Sequence, residues 1–228
     1  MTHKFRTLLL PALLFAALLS AAGEARADTV VLTDGTVVTD LLNAQAHIQG
    51  LSGDGFFVNA GTVAPYTSDN CTISQPCAPG QVVTMTRTLS VQFMSGPATA
   101  TFGGTNYINL ALQGTVLNFV TGPLTLESAP PPPEPQSYTV TIPFTMTGTV
   151  VASGFVNGQS DGQTLFTVDV TGGGLATLRI VQSGSNVFIT SASYTFQPQP
   201  TPEPATLALL GTGIAGLAAR LRRRKTRK

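Results

Sequence analysis

The sequence predicts an all-β fold, an antiparallel β-sandwich of jelly-roll type, and three observations carry that prediction. Apolar residues alternate with threonine and serine over long stretches, turn-forming residues separate those stretches, and nothing between residues 28 and 198 has the period of a long amphipathic helix. Tyr138, Val140, Ile142, Phe144 and Met146 occupy every second position, with Ser137, Thr139, Thr141, Thr145 and Thr147 between them. Successive strand side chains point to opposite faces, so this run has one dry face and one wet one. The period recurs at Phe166, Val168 and Val170, at Ala176, Leu178 and Ile180, and at Ala192, Tyr194 and Phe196.

Residues 1–27 are read apart from the fold, as a secretory signal. His3, Lys4 and Arg6 give a charged start, residues 8–19 form an apolar run broken only by Pro11, and Ala25-Arg26-Ala27 is a small-x-small cleavage pattern. The cut by signal peptidase then falls between Ala27 and Asp28. The apolar run is well short of the ~20 residues that span a bilayer. In the exported chain, Asp34-Gly35 lies between two strand-like runs and predicts a hairpin. Residues 41–48 fit a short helical turn or an irregular strand equally well. Val83, Met85, Leu89, Val91 and Phe93 share one phase, and Arg87 falls in it. A guanidinium does not shed its charge, so burying it unpaired is costly. The expectation is either a bulge that turns Arg87 outward or a place at the sheet rim beside a carboxylate.

Gly103-Gly104, Asn157-Gly158, Asp161-Gly162 and Gly172-Gly173-Gly174 tolerate positive φ and read as turns between strands. Residues 129–136 contain five prolines, which donate no ladder hydrogen bond, so they read as a stiff loop or linker between two strand-rich halves. The ectodomain is therefore placed at 28–198, as one sandwich or two sub-domains.

Charge excludes one function class. Between residues 28 and 200 only Arg87 and Arg179 are basic, against nine carboxylates, a net of −7. Nucleic-acid binding needs basic groups that displace counterions, so no nucleic acid is expected as a partner. Cys71 and Cys77 are the only cysteines. In an exported chain they are expected to form a disulfide, closing a loop short enough that the bridge contributes only about 2 kcal/mol. The alternative of a metal site lacks ligands, since the exported part has the single histidine His47.

The C-terminal residues 199–228 have their own logic. Pro202, Glu203 and Pro204 precede an uncharged, largely apolar run at 205–219, and Arg220, Arg222, Arg223, Arg224, Lys225, Arg227 and Lys228 crowd the end at 220–228. Fifteen helical residues reach about 22 Å, and Leu221 with snorkelling arginines extends a transmembrane helix over 205–221 towards the ~30 Å core. The basic cluster belongs on the cytoplasmic side. A Pro-Glu-Pro triplet, an apolar helix and a terminal arginine cluster resemble the PEP-CTERM sorting signal, whose carriers also begin with signal peptides. The resemblance implies recognition by an exosortase, a membrane transpeptidase-like enzyme, and processing near Pro202-Glu203-Pro204. It also implies delivery to the cell surface or extracellular matrix of a Gram-negative bacterium, often alongside exopolysaccharide and biofilm. The body more loosely resembles exported sandwiches that carry this tail, at Gly53-Asp54-Gly55-Phe56, Cys77-Ala78-Pro79-Gly80 and Tyr194-Thr195-Phe196.

Three motifs look like chemistry. Gly211-Thr212-Gly213-Ile214-Ala215-Gly216 has the letters of a dinucleotide fingerprint, but no βαβ unit surrounds it, and small residues in an apolar helix instead favour close helix packing. Gly158-Gln159-Ser160-Asp161-Gly162 has the letters of a nucleophile elbow, yet a strand pattern rather than a helix follows, and His47 precedes it. Asn157 to Val168 echoes a calcium loop without its first aspartate or last glutamate. No catalytic residue, metal ligand or cofactor is assigned, and the chain is not expected to be an enzyme. The expected function is a structural surface or matrix protein. The alternatives are a carbohydrate-binding sandwich, with Tyr66 and Tyr107 as ring platforms, and, third, a secreted hydrolase acting through Ser160.

Overall fold

The computed structural model describes residues 29–40, 45–63, 66–92, 96–127 and 135–198. The expected signal segment with its cleavage site at Ala27 and Asp28, the segment at 199–228 where a transmembrane helix is expected, and residues 129–134 of the proline-rich stretch lie outside the described residues. The described residues form fourteen strands and no helix, as the period-two patterning predicts. In order these are β1 Thr29–Asp40, β2 Gln45–Gly53, β3 Phe56–Asn59, β4 Thr62–Val63, β5 Tyr66–Ser68, β6 Val82–Val83 and β7 Thr86–Ser90. They continue as β8 Ala98–Phe102, β9 Thr105–Ala111, β10 Val116–Thr121, β11 Leu124–Thr125, β12 Gln136–Val156, β13 Gln159–Ser183 and β14 Asn186–Phe196.

The long pair β12 and β13 forms an antiparallel ribbon whose register runs from Gln136 opposite Gln182 to Val156 opposite Gln159. Asn157 and Gly158 turn its tip, both with positive φ (50° and 82°), the geometry that suits a two-residue hairpin. On one side, residues 144–149 of β12 pair with β10, β10 pairs with β7, and β7 pairs with β5. On the other, β13 pairs with β14, and the path runs through β1, β2, β3, β8 and β9. It returns to β12 where Ser153 faces Ala111 and Gly154 faces Leu110. The strand path thus closes on the ribbon. Strands from both sides of the proline-rich stretch share one sheet, because β10 pairs with β12.

The core lies between the layers this path creates. Phe119 of β10 stacks 4.4 Å from Tyr194 of β14, and Phe144 of β12 meets Phe196 edge-on at 5.2 Å. Towards the other end, Phe166 of β13 packs 5.1 Å from both Phe102 and Tyr107. Such offset and edge-to-face rings add stabilisation beyond the area they bury.

Three glycine-containing segments read as turns are strand interiors instead. β1 runs through Asp34-Gly35 without reversing, because its halves have different neighbours: residues 29–32 lie parallel to β13, and 36–40 antiparallel to β14. Gly35 sits at the change with φ 111°, and a Cβ there would fall 2.1 Å from the Gly50 carbonyl oxygen. Gly172-Gly173-Gly174 lies inside β13, where the adjoining partner changes from β1 to β14. Asp161-Gly162 is a bulge near the ribbon tip, between the pairs Ser153–Thr164 and Phe155–Ser160. Each segment has turn chemistry, yet is used for close approach or bending within a strand. Gly103-Gly104 does turn, joining β8 to β9 with φ 58° and 78°. Of the ambiguous segment 41–48, residues from Gln45 onward belong to β2.

Gly172 has no room for a side chain: a Cβ would lie 2.8 Å from the Phe196 ring and 3.1 Å from Leu32 Cβ. Phe196 and Leu32 are themselves buried, so neither the ring nor the leucine Cβ has space to retreat. Gly172→Val should therefore cost about 2 kcal/mol or more in urea unfolding. Thr167→Val, on the exposed face of the same strand, should change stability by less than about 0.5 kcal/mol.

Candidate functional site

The two cysteines meet. Cys71 and Cys77 form a buried disulfide with Cα atoms 4.8 Å apart. Cys71 takes positive φ (54°), and within the loop the Gln75 amide donates to the Thr72 hydroxyl while the Thr72 amide donates to the Gln75 carbonyl. The bridge also staples this loop to β14: Cys77 and Val187 exchange backbone hydrogen bonds, and the Ile189 amide donates to the Cys71 carbonyl.

Arg87 is where the sequence expectation fails. It is only 1% exposed, and β7 pairs with β10 without a register shift, so there is neither a bulge nor a rim position. Its Nη1 donates to the Thr39 hydroxyl at 2.6 Å rather than to a carboxylate, and its Cζ lies 5.7 Å from the Tyr66 ring centroid. A desolvated cation over an aromatic face is attracted by the ring quadrupole, which offsets part of the burial cost. The burial phase stands, since Val83, Met85, Leu89 and Val91 are all buried, but the run is split into β6 and β7, which belong to different sheets. Phe93 lies outside the described residues.

This cluster removes Tyr66 as a sugar platform, because the residue is buried. Tyr107 is half-buried, with its ring committed to Phe166. Burial pushes the Tyr66 phenol up to about 12, against an opposing pull from Arg87. Burial also raises Tyr194, with Arg87 again opposing, and Tyr138. A phenol whose folded pKa is raised stabilises the fold below its unfolded value near 10 and loses that contribution as pH climbs through its folded pKa. The urea midpoint should therefore fall between about pH 10 and 12. Tyr66→Phe should flatten this loss, measured as the difference between midpoints at the two ends of that window.

The third place is a cleft at the tip of the ribbon, with a volume of about 310 Å³. Phe155, Gln159 and Ser160 of the ribbon form one wall, and Gln92 and Gln113, from the segments after β7 and β9, form the other. An adjoining hollow of about 250 Å³ shares Gln113 and Ser160 and is lined further by Ser153 and Thr164. Ser160 does not have the surroundings of a nucleophile. It lies in a strand, its Oγ is 2.6 Å from Ser153 Oγ, and it accepts the Gly162 amide. His47 is on β2, which pairs with β1, β3 and β4 rather than with the ribbon. Among the described residues no group of three or more His, Cys, Asp or Glu side chains gathers as a metal site.

Of the cleft residues, Gly158, Gln159 and Ser160 fall in a motif the sequence marks, but nothing in the sequence joins them to Gln92 and Gln113. Gln92, Gln113 and Gln159 are isolated glutamines beside turns, brought together by long-range strand pairing onto β12.

The described fold is thus a sandwich-like all-β domain. Its C-terminal residues 200–224 match the family model of the PEP-CTERM protein-sorting motif. Pro202, Glu203, Pro204 and most of the basic cluster fall within that match. The motif supports an exported, exosortase-sorted protein of the cell envelope or surface. No curated protein and no solved structure matches the chain.

Proposed function

We propose that the chain is a structural surface or matrix protein: exported by its signal segment, held by its C-terminal helix, and processed by an exosortase. Its sandwich is then displayed among exopolysaccharide. The observation that carries this reading is the PEP-CTERM match at residues 200–224, following a domain with a buried disulfide. A disulfide persists in oxidising compartments outside the cytosol, which agrees with export. The threonine-rich outer faces of β12 and β13 and the scarcity of charge suit a protein that sits in a hydrated neutral polymer.

In this reading the basic cluster at 220–228 keeps the tail end in the cytoplasm while the sandwich folds outside. Signal peptidase cleaves between Ala27 and Asp28, and exosortase acts near Pro202-Glu203-Pro204. The test is deletion of the exosortase in the native host, followed by fractionation and intact-mass measurement. The expected result is a surface product lacking the 205–228 tail in the parent strain and a membrane-held product retaining it in the deletion strain. Identical mass and location in both strains would overturn the reading.

A further inference from the structure

The cleft at the ribbon tip is built rather than incidental. Thr115 is fully buried; its hydroxyl donates to the Val151 carbonyl and accepts the Val151 amide, which clamps the segment bearing Gln113 onto β12. The Gly114 amide donates to the Val91 carbonyl and the Val91 amide to the Thr115 carbonyl, so the position of Gln92 is tied to the same clamp. Opposite, the bulge at Asp161-Gly162 lays the Asp161 carboxylate over Gly154, where a Cβ would meet Oδ2 at 2.1 Å. Asp161 is locked in turn by accepting the Gln163 amide at 2.9 Å. The walls are thus set by backbone and buried hydroxyl contacts before any ligand arrives.

The lining chemistry selects the ligand. Three side-chain amides each offer both donors and an acceptor, the Ser160 hydroxyl is held by Ser153 and the Gly162 amide, and the half-buried Phe155 supplies a ring. Among the described residues no lysine, arginine or histidine lines the cleft, and the exported part carries net negative charge, so phosphates and other anions are disfavoured. Paired vicinal hydroxyls with an apolar C–H face are the complement of amides beside an aromatic ring. The volume of about 310 Å³ is at the small end of ligand sites, about 300–1,000 Å³, and the adjoining hollow extends it as a groove along which a chain can pass.

We infer that this cleft binds a neutral saccharide, with Gln113 and Gln159 hydrogen-bonding its hydroxyls and Phe155 packing on a sugar face. The choice of a polysaccharide chain as the natural source rests on the surface-matrix reading; the cleft chemistry does not. The mature exported protein is titrated calorimetrically with neutral tetrasaccharides of glucose, mannose and galactose, and with a tetragalacturonate as the anionic contrast. At least one neutral sugar should bind, and the galacturonate should bind at least about tenfold more weakly. Gln113→Ala, Gln159→Ala and Phe155→Leu should each weaken binding about tenfold with unchanged thermal unfolding, while Gln49→Ala on the distant β2 should leave it intact. Absence of binding by folded protein, preference for the anionic sugar, or affinity unmoved by all three cleft substitutions would overturn the proposal. None of those outcomes bears on exosortase processing, so the two readings fail separately.

Discussion

The structure depends on one constraint: β12 and β13 must stay paired over their whole length while belonging to different neighbourhoods along it. Their backbone register begins at Gln136 and Gln182 and ends at Val156 and Gln159, and every other strand of the main sheet reaches the ribbon directly or through neighbours. A strand of this length is well beyond the usual 3–10 residues, and twist alone would carry its ends out of a single plane. The chain uses the bend. At Gly172-Gly173-Gly174 the adjoining strand changes from β1 to β14, and beyond Ser153 the β12 edge passes to β9. Closing the strand path in this way leaves fewer exposed edges.

That closure explains how a core with few charges tolerates Arg87. The guanidinium lies where β7, β1 and β14 converge, against the Thr39 hydroxyl, the Tyr66 face and the Tyr194 phenol. A buried cation is a poor device for stability and a good one for register: Nε and Nη2 of Arg87 have no hydrogen-bond partner, and the Thr39 bond and Tyr66 contact form only when particular strands are opposite one another. Here it ties residues 48 positions apart in sequence, and a slip of one residue in β7 would turn it into solvent. The disulfide acts similarly at lower cost, fastening the loop after β5 to β14 through Cys77 and Val187.

Much of the fold was legible because period two is a local property. Ile142, Phe144, Met146, Phe166, Val168, Val170, Leu178, Ile180, Tyr194 and Phe196 are all buried as their alternation requires. The cysteine pairing followed from compartment and proximity. Turns were legible only in part. Asn157-Gly158 and Gly103-Gly104 reverse the chain, whereas Asp34-Gly35 and Gly172-Gly173-Gly174 do not, since glycine serves a tight backbone approach as well as a turn. The setting of Arg87 is not legible locally, because the Tyr66 face and the Thr39 hydroxyl reach it from strands remote in sequence. The sorting motif was legible as contiguous letters, but the cleft was not, because Gln92, Gln113 and Gln159 come together through long-range strand pairing onto β12.

The chain therefore separates its tasks: the C-terminal motif addresses it, and the ribbon-centred domain is what is delivered. The ribbon's role as the common support is the claim on which both the core and the cleft rest. Amide hydrogen exchange on the mature exported protein, resolved by peptide, tests it most directly. The account predicts that the slowest amides lie at 144–150 and 166–180, opening only with global unfolding, while β5, β6 and β11 exchange earlier. Ribbon amides exchanging by local opening, while β2, β3 and β8 stay protected, would contradict it.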